Sequence, residues 1–154
     1  MDIKLNKAEQ KLAQYLARCR YENNRRENVV DRKIGPQSNN DTDLNGIGAE
    51  LAFCKLFNLY PDIEIDHRPQ EDAIFHDGTK VDIKTTPYKN GRLITPIWKK
   101  QIHTDLYALM IGKFPEYRLA GIVTADKLFQ DENIVNLGYG NTYALEQVDL
   151  DIAY

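Results

Sequence analysis

The sequence has few of the residues on which several common classes of enzyme and binding protein depend. It contains one serine, Ser38, and two cysteines, Cys19 and Cys54, whose spacing matches no metal-binding motif. These counts argue against a serine nucleophile elbow and a zinc site, and we interpret both cysteines as free thiols in a reducing compartment. The longest strongly apolar run, residues 107–112, is far too short to cross a membrane, and the charged start of the chain lacks the apolar segment of a secretory signal. We therefore expect a cytoplasmic protein with no membrane partner.

The composition is that of a globular protein. Hydrophobic residues make up 42% of the 154 residues and charged residues 28%, which is enough apolar material to build a packed core. The chain has no internal repeat and no low-complexity tract, so we interpret residues 1–154 as a single domain. The net charge of −3 gives no overall indication of nucleic-acid binding.

The hydrophobic pattern predicts an α/β domain with a mixed β-sheet flanked by helices. An N-terminal helix is expected over residues 7–26 and a central one over 43–58, with Thr42 or Asp43 as its N-cap and a polar loop before it. Strands are expected over residues 63–66, 73–76, 80–86, 105–113 and 117–124. A short helix at 125–130 completes a core of about residues 43–130, and an acidic tail region follows it.

One acidic residue of the central helix is placed where a carboxylate is costly. Helical spacing puts Glu50 on the same face as Gly46, Ile47, Phe53 and Cys54, which is apolar. Burial of an unpaired carboxylate costs several kcal/mol. Glu50 is therefore expected to pair with a cation, to accept hydrogen bonds or to face a cleft.

A predicted hairpin contains two further acidic residues that could belong to the same site. In the strand 80–86, alternation places Asp82 and Lys84 on one face, while Asp72 lies on the preceding strand. A two-residue loop at Asp77 and Gly78 would turn Asp72 away from Asp82, whereas a three-residue loop at 76–78 would set the two acids opposite each other. We predict the three-residue loop, because a divalent cation would relieve the repulsion between two adjacent carboxylates.

These residues resemble the PD-(D/E)xK nuclease superfamily, which has the restriction-endonuclease-like fold. The resemblance rests on Glu50 in the central helix, Asp72 on the first hairpin strand and Asp82, Ile83 and Lys84 on the second. The first aspartate could instead be Asp62, which follows a proline, or Asp66. We choose Asp72 because it lies on the strand that adjoins Asp82.

The resemblance implies a Mg²⁺-dependent DNA nuclease, for which Mn²⁺ could substitute, that leaves 5′-phosphate and 3′-hydroxyl ends. We expect an endonuclease in which Asp72, Asp82 and the Ile83 carbonyl bind the metal and Glu50 is a further ligand. Lys84 would orient the attacking water or stabilise charge on phosphorus. The resemblance is to small enzymes of the phage type. Cleavage of both DNA strands would favour a homodimer or a complex with partner proteins.

Charge is unevenly distributed along the chain. A basic stretch between residues 80 and 101 precedes an acidic tail, and one positive face could contact phosphate. The candidate DNA contacts are Lys89, Arg92, Lys99, Lys100, Arg25 and Arg26. The alternative function is a catalytically inactive nucleic-acid-binding or assembly protein on the same fold, and a third possibility is an ordinary ion-pair network.

Overall fold

A computed structural model of the protein describes residues 2–26, 39–66 and 69–151, with the side chains of residues 39 and 40 excepted. The helices are α1 (Lys7–Arg26), α2 (Asn39–Phe57) and α3 (Ala125–Leu128). The strands are β1 (Asp2–Lys4), β2 (Ala73–Ile74), β3 (Lys80–Thr86), β4 (Leu93–Pro96), β5 (Leu106–Lys113), β6 (Glu116–Thr124), β7 (Ile134–Asn136) and β8 (Asn141–Leu145). A short 3₁₀ helix, Ile97–Gln101, lies between β4 and β5.

The described strands form two sheets. The larger has the order β1-β6-β5-β3-β2, and in it β3 and β5 are parallel while the other neighbours are antiparallel. The smaller has the order β4-β8-β7 and is antiparallel throughout. The chain leaves β3, contributes β4 to the second sheet, passes through the 3₁₀ helix and returns as β5, so the crossover between parallel strands contains no α-helix.

The large sheet is covered on both faces. On the helix side, Val81, Ile83 and Met110 pack in one apolar cluster with buried residues of α1 and α2. On the second-sheet side, Tyr107 and Leu109 pack in another cluster with residues of β4, β8 and α3. The two clusters follow from alternation along β3 and β5. No described helix is long and apolar enough to cross a membrane.

The predicted mixed α/β class with a mixed sheet is confirmed, and α1 and β3 have the predicted bounds. The predicted N-cap of the central helix is wrong, because α2 begins at Asn39 and includes Thr42 and Asp43. Asp41 in the first turn of α2 favours this earlier start through the helix dipole. Residues 28–38 of the predicted polar loop lie outside the described residues.

The predicted strand at residues 63–66 is also wrong. The Glu64 N–H donates to Asp62 Oδ1 at 2.9 Å, a local turn that competes with strand pairing. The carbonyls of Asp62 and Glu64 accept hydrogen bonds from the Arg20 guanidinium at 3.1 and 3.0 Å. Arg20 therefore satisfies backbone groups that would otherwise need a neighbouring strand.

Candidate functional site

The β2–β3 hairpin has the predicted register. The Phe75 N–H donates to the Thr79 carbonyl and the Gly78 N–H to the Phe75 carbonyl, both at 2.9 Å, which closes a loop of residues 76–78. Gly78 has φ +90°, the left-handed conformation that glycine adopts without strain. Ala73 pairs with Val81 in this register, and Asp72 follows the last paired residue of β2 on the side of β3 that leads to Asp82.

Asp72 is anchored to the backbone of β3. Its N–H donates to the Val81 carbonyl at 2.9 Å, and its Oδ2 accepts the Ile83 N–H at 2.7 Å. A carboxylate that accepts a backbone N–H is fixed in position and partly neutralised. The carboxylate of Asp72 is thus held next to the strand residue that follows Asp82.

Asp82 is the most deeply buried acid among the described residues, with 1% of its surface exposed. It points to the second-sheet side of β3, where its Oδ1 is 2.5 Å from Lys84 Nζ and its Oδ2 is 2.6 Å from Lys99 Nζ. Such burial of a carboxylate is tolerated only with compensating charge. The predicted proximity of Asp82 and Lys84 is confirmed. The sequence predicts that Lys99 contacts DNA, and in the structure its ammonium contacts the Asp82 carboxylate.

Glu50 is paired with an arginine that the sequence analysis did not identify. Its Oε2 lies 3.7 Å from Arg20 Nη1, and Asp62 Oδ2 lies 3.5 Å from Arg20 Nη2. The Arg20 side chain is 4% exposed and that of Glu50 is 15% exposed, so this pair is largely removed from water. The structure therefore shows a cationic partner for Glu50, and its role as a metal ligand stays a prediction.

The sequence does contain a signal for Arg20. Helical spacing places Ala13, Leu16, Ala17 and Arg20 on one face of α1, and all four are buried. A guanidinium on an apolar face needs an anionic partner, just as a carboxylate does. Two opposite charges on the apolar faces of successive helices thus predict an ion pair between α1 and α2.

Asp72 lies near both groups of charges. Burial, followed by the negative charges of Glu50, Asp72 and Asp62, raises the pKa of Cys54 on α2 to about 12. On the other side of the sheet, burial and the charge of Asp82, with a smaller effect from Asp72, raise the pKa of Tyr107 to about 12. The thiol and the phenol are therefore neutral at physiological pH. Asp72 connects the Arg20 side of the site with the lysine side.

The acids do not form a closed metal cage. Within residues 2–26, 39–66 and 69–151, no three His, Cys, Asp or Glu side chains are grouped closely enough to hold a metal ion on their own. Two carboxylates remain: Asp82 on β3, and Asp72, which precedes β2 and is hydrogen-bonded to the N–H of the residue after Asp82. Asp66, an alternative to Asp72, is exposed, and Asp62, the other alternative, lies on Arg20.

A surface groove of about 470 Å³ leads to Asp72. Asp62 and Asp72 line it together with the exposed ring of Tyr60 and the edge strand β2. The groove gives a ligand a route from solvent to the Asp72 end of the site.

The other basic residues predicted to contact DNA are dispersed. Lys89, Lys100, Arg25 and Arg26 are exposed. Arg92 lies 3.5 Å from Glu146, a partly exposed pair of the kind that contributes about 0–1 kcal/mol. A partly exposed pair of this kind leaves Arg92 able to exchange Glu146 for a phosphate group.

Comparison with known proteins gives a family but no relative of established activity. No curated protein and no solved structure matches the chain. A family model described as "Family of unknown function (DUF5843)" matches residues 3–119. The matched region contains Arg20, Glu50, Asp72, Asp82 and Lys99, and it spans most of the chain. The protein therefore belongs to the DUF5843 family of unknown function.

Proposed function

We propose that the protein is a Mg²⁺-dependent DNA endonuclease of the PD-(D/E)xK type, which hydrolyses phosphodiester bonds to 5′-phosphate and 3′-hydroxyl ends. The observation that carries this proposal is the hairpin in which the Asp72 carboxylate is hydrogen-bonded to the Ile83 N–H, directly after Asp82, while Lys84 contacts Asp82. The Glu50 helix precedes this hairpin, as in the superfamily that the sequence resembles. The proposal extends to a restriction-endonuclease-like core and to DNA as the partner.

The donor set fits magnesium. Mg²⁺ is usually bound through one or two carboxylates, and waters and substrate phosphate oxygens complete its coordination. Asp72 and Asp82 supply two carboxylates, and the proposed third donor is the carbonyl of Ile83, whose N–H donates to Asp72. Glu50 would join only if it left Arg20. Two protein carboxylates suit a site that the phosphate of the substrate completes, and Mn²⁺ accepts the same oxygen donors.

The residues of the site have distinct roles in this mechanism. When bound, Mg²⁺ would stabilise the charge of the phosphate as a Lewis acid and would make water a better nucleophile. Asp72 and Asp82 would hold the ion, and the Ile83 N–H fixes the orientation of the Asp72 carboxylate. Lys84, held on Asp82, orients the attacking water or donates to the phosphate as charge develops.

A second function is favoured by a specific observation. Both oxygens of Asp82 are occupied by lysines, and the described residues contain no group of three metal-binding side chains. A nucleic-acid-binding protein without catalysis would retain the basic residues and have no need of a metal. Metal-dependent cleavage distinguishes the two functions.

The test is cleavage of supercoiled, linear, single-stranded and branched DNA with Mg²⁺, Mn²⁺ or EDTA. We expect cleavage that requires metal and that falls by at least about 100-fold in Lys84→Met and Asp82→Asn. Lys113→Met removes an equal charge from an exposed position at the end of β5 and serves as the matched control. Tight DNA binding without cleavage would refute the nuclease proposal and support the function of a catalytically inactive nucleic-acid-binding protein.

A further inference from the structure

Asp82 has two lysine partners that differ in how they are held. Lys84 lies on β3, two residues from Asp82, and its backbone pairs with Leu109 inside the large sheet. Lys99 reaches Asp82 from the 3₁₀ helix Ile97–Gln101, which contains no buried residue. Lys84 is thus part of the rigid sheet, whereas Lys99 is attached to the site mainly through its ammonium.

The Lys99–Asp82 contact is unusually well shielded for a surface helix. The nitrogen lies 2.6 Å from Asp82 Oδ2, and the Lys99 side chain is only 14% exposed although the neighbouring Trp98 and Lys100 are exposed. A lysine loses side-chain entropy when it is held in this way, so a specific attraction must offset that cost. That attraction comes chiefly from the charge of a carboxylate that has almost no access to water, and the Trp98 ring, 5.6 Å from the Lys99 nitrogen, adds a cation–π contact.

The Asp82 carboxylate already faces two ammonium groups, those of Lys84 and Lys99. A divalent cation at the same carboxylate would add positive charge beside both lysines and would compete with Lys99 for Asp82 Oδ2. Departure of Lys99, whose backbone lies outside the sheet, relieves both effects, and its ammonium is then a cation beside a site that would bind phosphate.

We propose that Lys99 is an internal counter-ion that occupies Asp82 in the metal-free protein, is displaced by the divalent cation, and then contacts the phosphate of the nucleic acid. This inference rests on the proposed metal site at Asp72 and Asp82. It makes metal binding and phosphate binding mutually dependent, because the same lysine opposes the first and supports the second.

The first test is titration of the DNA-free protein with Mn²⁺ by calorimetry. Lys99→Met removes the competing charge and keeps the length of the side chain, so it should bind Mn²⁺ about tenfold more tightly than the wild type, within the usual range of coupling between sites. Lys99→Arg, which retains the charge, and Lys113→Met, the distant control, should match the wild type. Circular dichroism checks folding; if Lys99→Met unfolds, Lys99→Gln, which keeps a donor for Asp82, replaces it.

The second test is binding of a phosphorothioate DNA duplex by fluorescence anisotropy over a range of salt concentrations. With Mn²⁺, Lys99→Met should bind more weakly, and the slope of log affinity against log salt should fall by about one phosphate contact. With EDTA the variant should match the wild type, since Lys99 is then held on Asp82. An equal loss with and without metal would make Lys99 an ordinary phosphate contact and would overturn the inference.

The outcomes distinguish a failure of this inference from a failure of the proposed nuclease function. Equal Mn²⁺ affinity in the wild type and Lys99→Met would overturn the counter-ion role and leave the nuclease proposal standing. Absence of Mn²⁺ binding in both proteins would overturn the metal site and the inference with it. Binding by Lys99→Met alone would support the inference in its strongest form.

Discussion

Replacement of Arg20 by methionine tests whether the Arg20 side of the site holds the fold together. The substitution keeps an apolar side chain of similar length and removes the guanidinium. Glu50 and Asp62 then lose their cation, and the carbonyls of residues 62 and 64 lose their donor. The two carboxylates are largely removed from water, with 15% of the Glu50 side chain and 12% of the Asp62 side chain exposed.

The expected loss is a large part of the total stability. Removal of one partner of a buried ion pair costs about 3–5 kcal/mol, against a usual total of about 5–15 kcal/mol for a domain. With an m-value of about 2 kcal/mol/M, the urea midpoint should fall by about 1.5–2.5 M. Urea denaturation followed by circular dichroism measures this shift.

Arg18→Met is the matched control, because Arg18 is exposed on the same helix and lies 5.7 Å from the Tyr15 ring. It should change stability by no more than about 0.5 kcal/mol. Addition of Glu50→Gln to Arg20→Met should restore about 0.5–3 kcal/mol, since the unpaired carboxylate is then neutral. A midpoint for Arg20→Met no lower than that of Arg18→Met would refute the reasoning.

Two further predictions concern α2. Gly46→Ala should stabilise the protein by about 0.5–1 kcal/mol, because nothing lies within 4 Å of the added carbon, whereas Gly48→Ala should destabilise it by about 1–3 kcal/mol through a clash with the Tyr117 hydroxyl. Thermal denaturation compares the two variants, and the same sign for both would contradict the packing. Iodoacetamide at about pH 8 should alkylate the partly exposed Cys19 of the native protein and leave Cys54 unmodified, because the raised pKa of Cys54 keeps its thiol protonated. Mass spectrometry identifies the modified residues, and modification of both cysteines would refute this prediction.

The sequence predicts those parts of the fold that local chemistry decides. The bounds of α1 follow from the apolar spacing that includes Leu16, and the three-residue hairpin loop uses Gly78 in the conformation that the register requires. The relation of Asp72 to Asp82 then follows, because a one-residue change of register would turn Asp72 to the other face. The roles of these two acids in metal binding stay predictions.

The second sheet could not be predicted because its strands are short and carry weak signals. β7 has three residues, and β4 ends at Pro96, a residue that argues against a strand unless the strand lies at an edge. β4 does lie at an edge, since it pairs with β8 alone. Its position depends on contact with residues about 50 positions later, which no local pattern reveals.

The partners of buried charges were missed for a similar reason. The apolar face around Glu50 shows only that the carboxylate needs a partner, and Arg20 is distinguished from the other 19 of the 20 lysines and arginines only when the apolar face of α1 is considered as well. Lys99 stands in a basic stretch, so its sequence context suggests a solvated charge. Only the return of the chain from β4 to β5 brings its ammonium to Asp82.

The pairing of β1 with β6 has a consequence for the order in which the protein folds during synthesis. Ile3 pairs with Tyr117, so the first strand to leave the ribosome waits for its partner on the order of ten seconds at ordinary rates of translation. The helices α1 and α2 end by residue 57, so the Arg20–Glu50 pair needs no residue that is synthesised after α2. The Asp82 side of the site, in contrast, depends on the large sheet, whose last strand to be made pairs with the first.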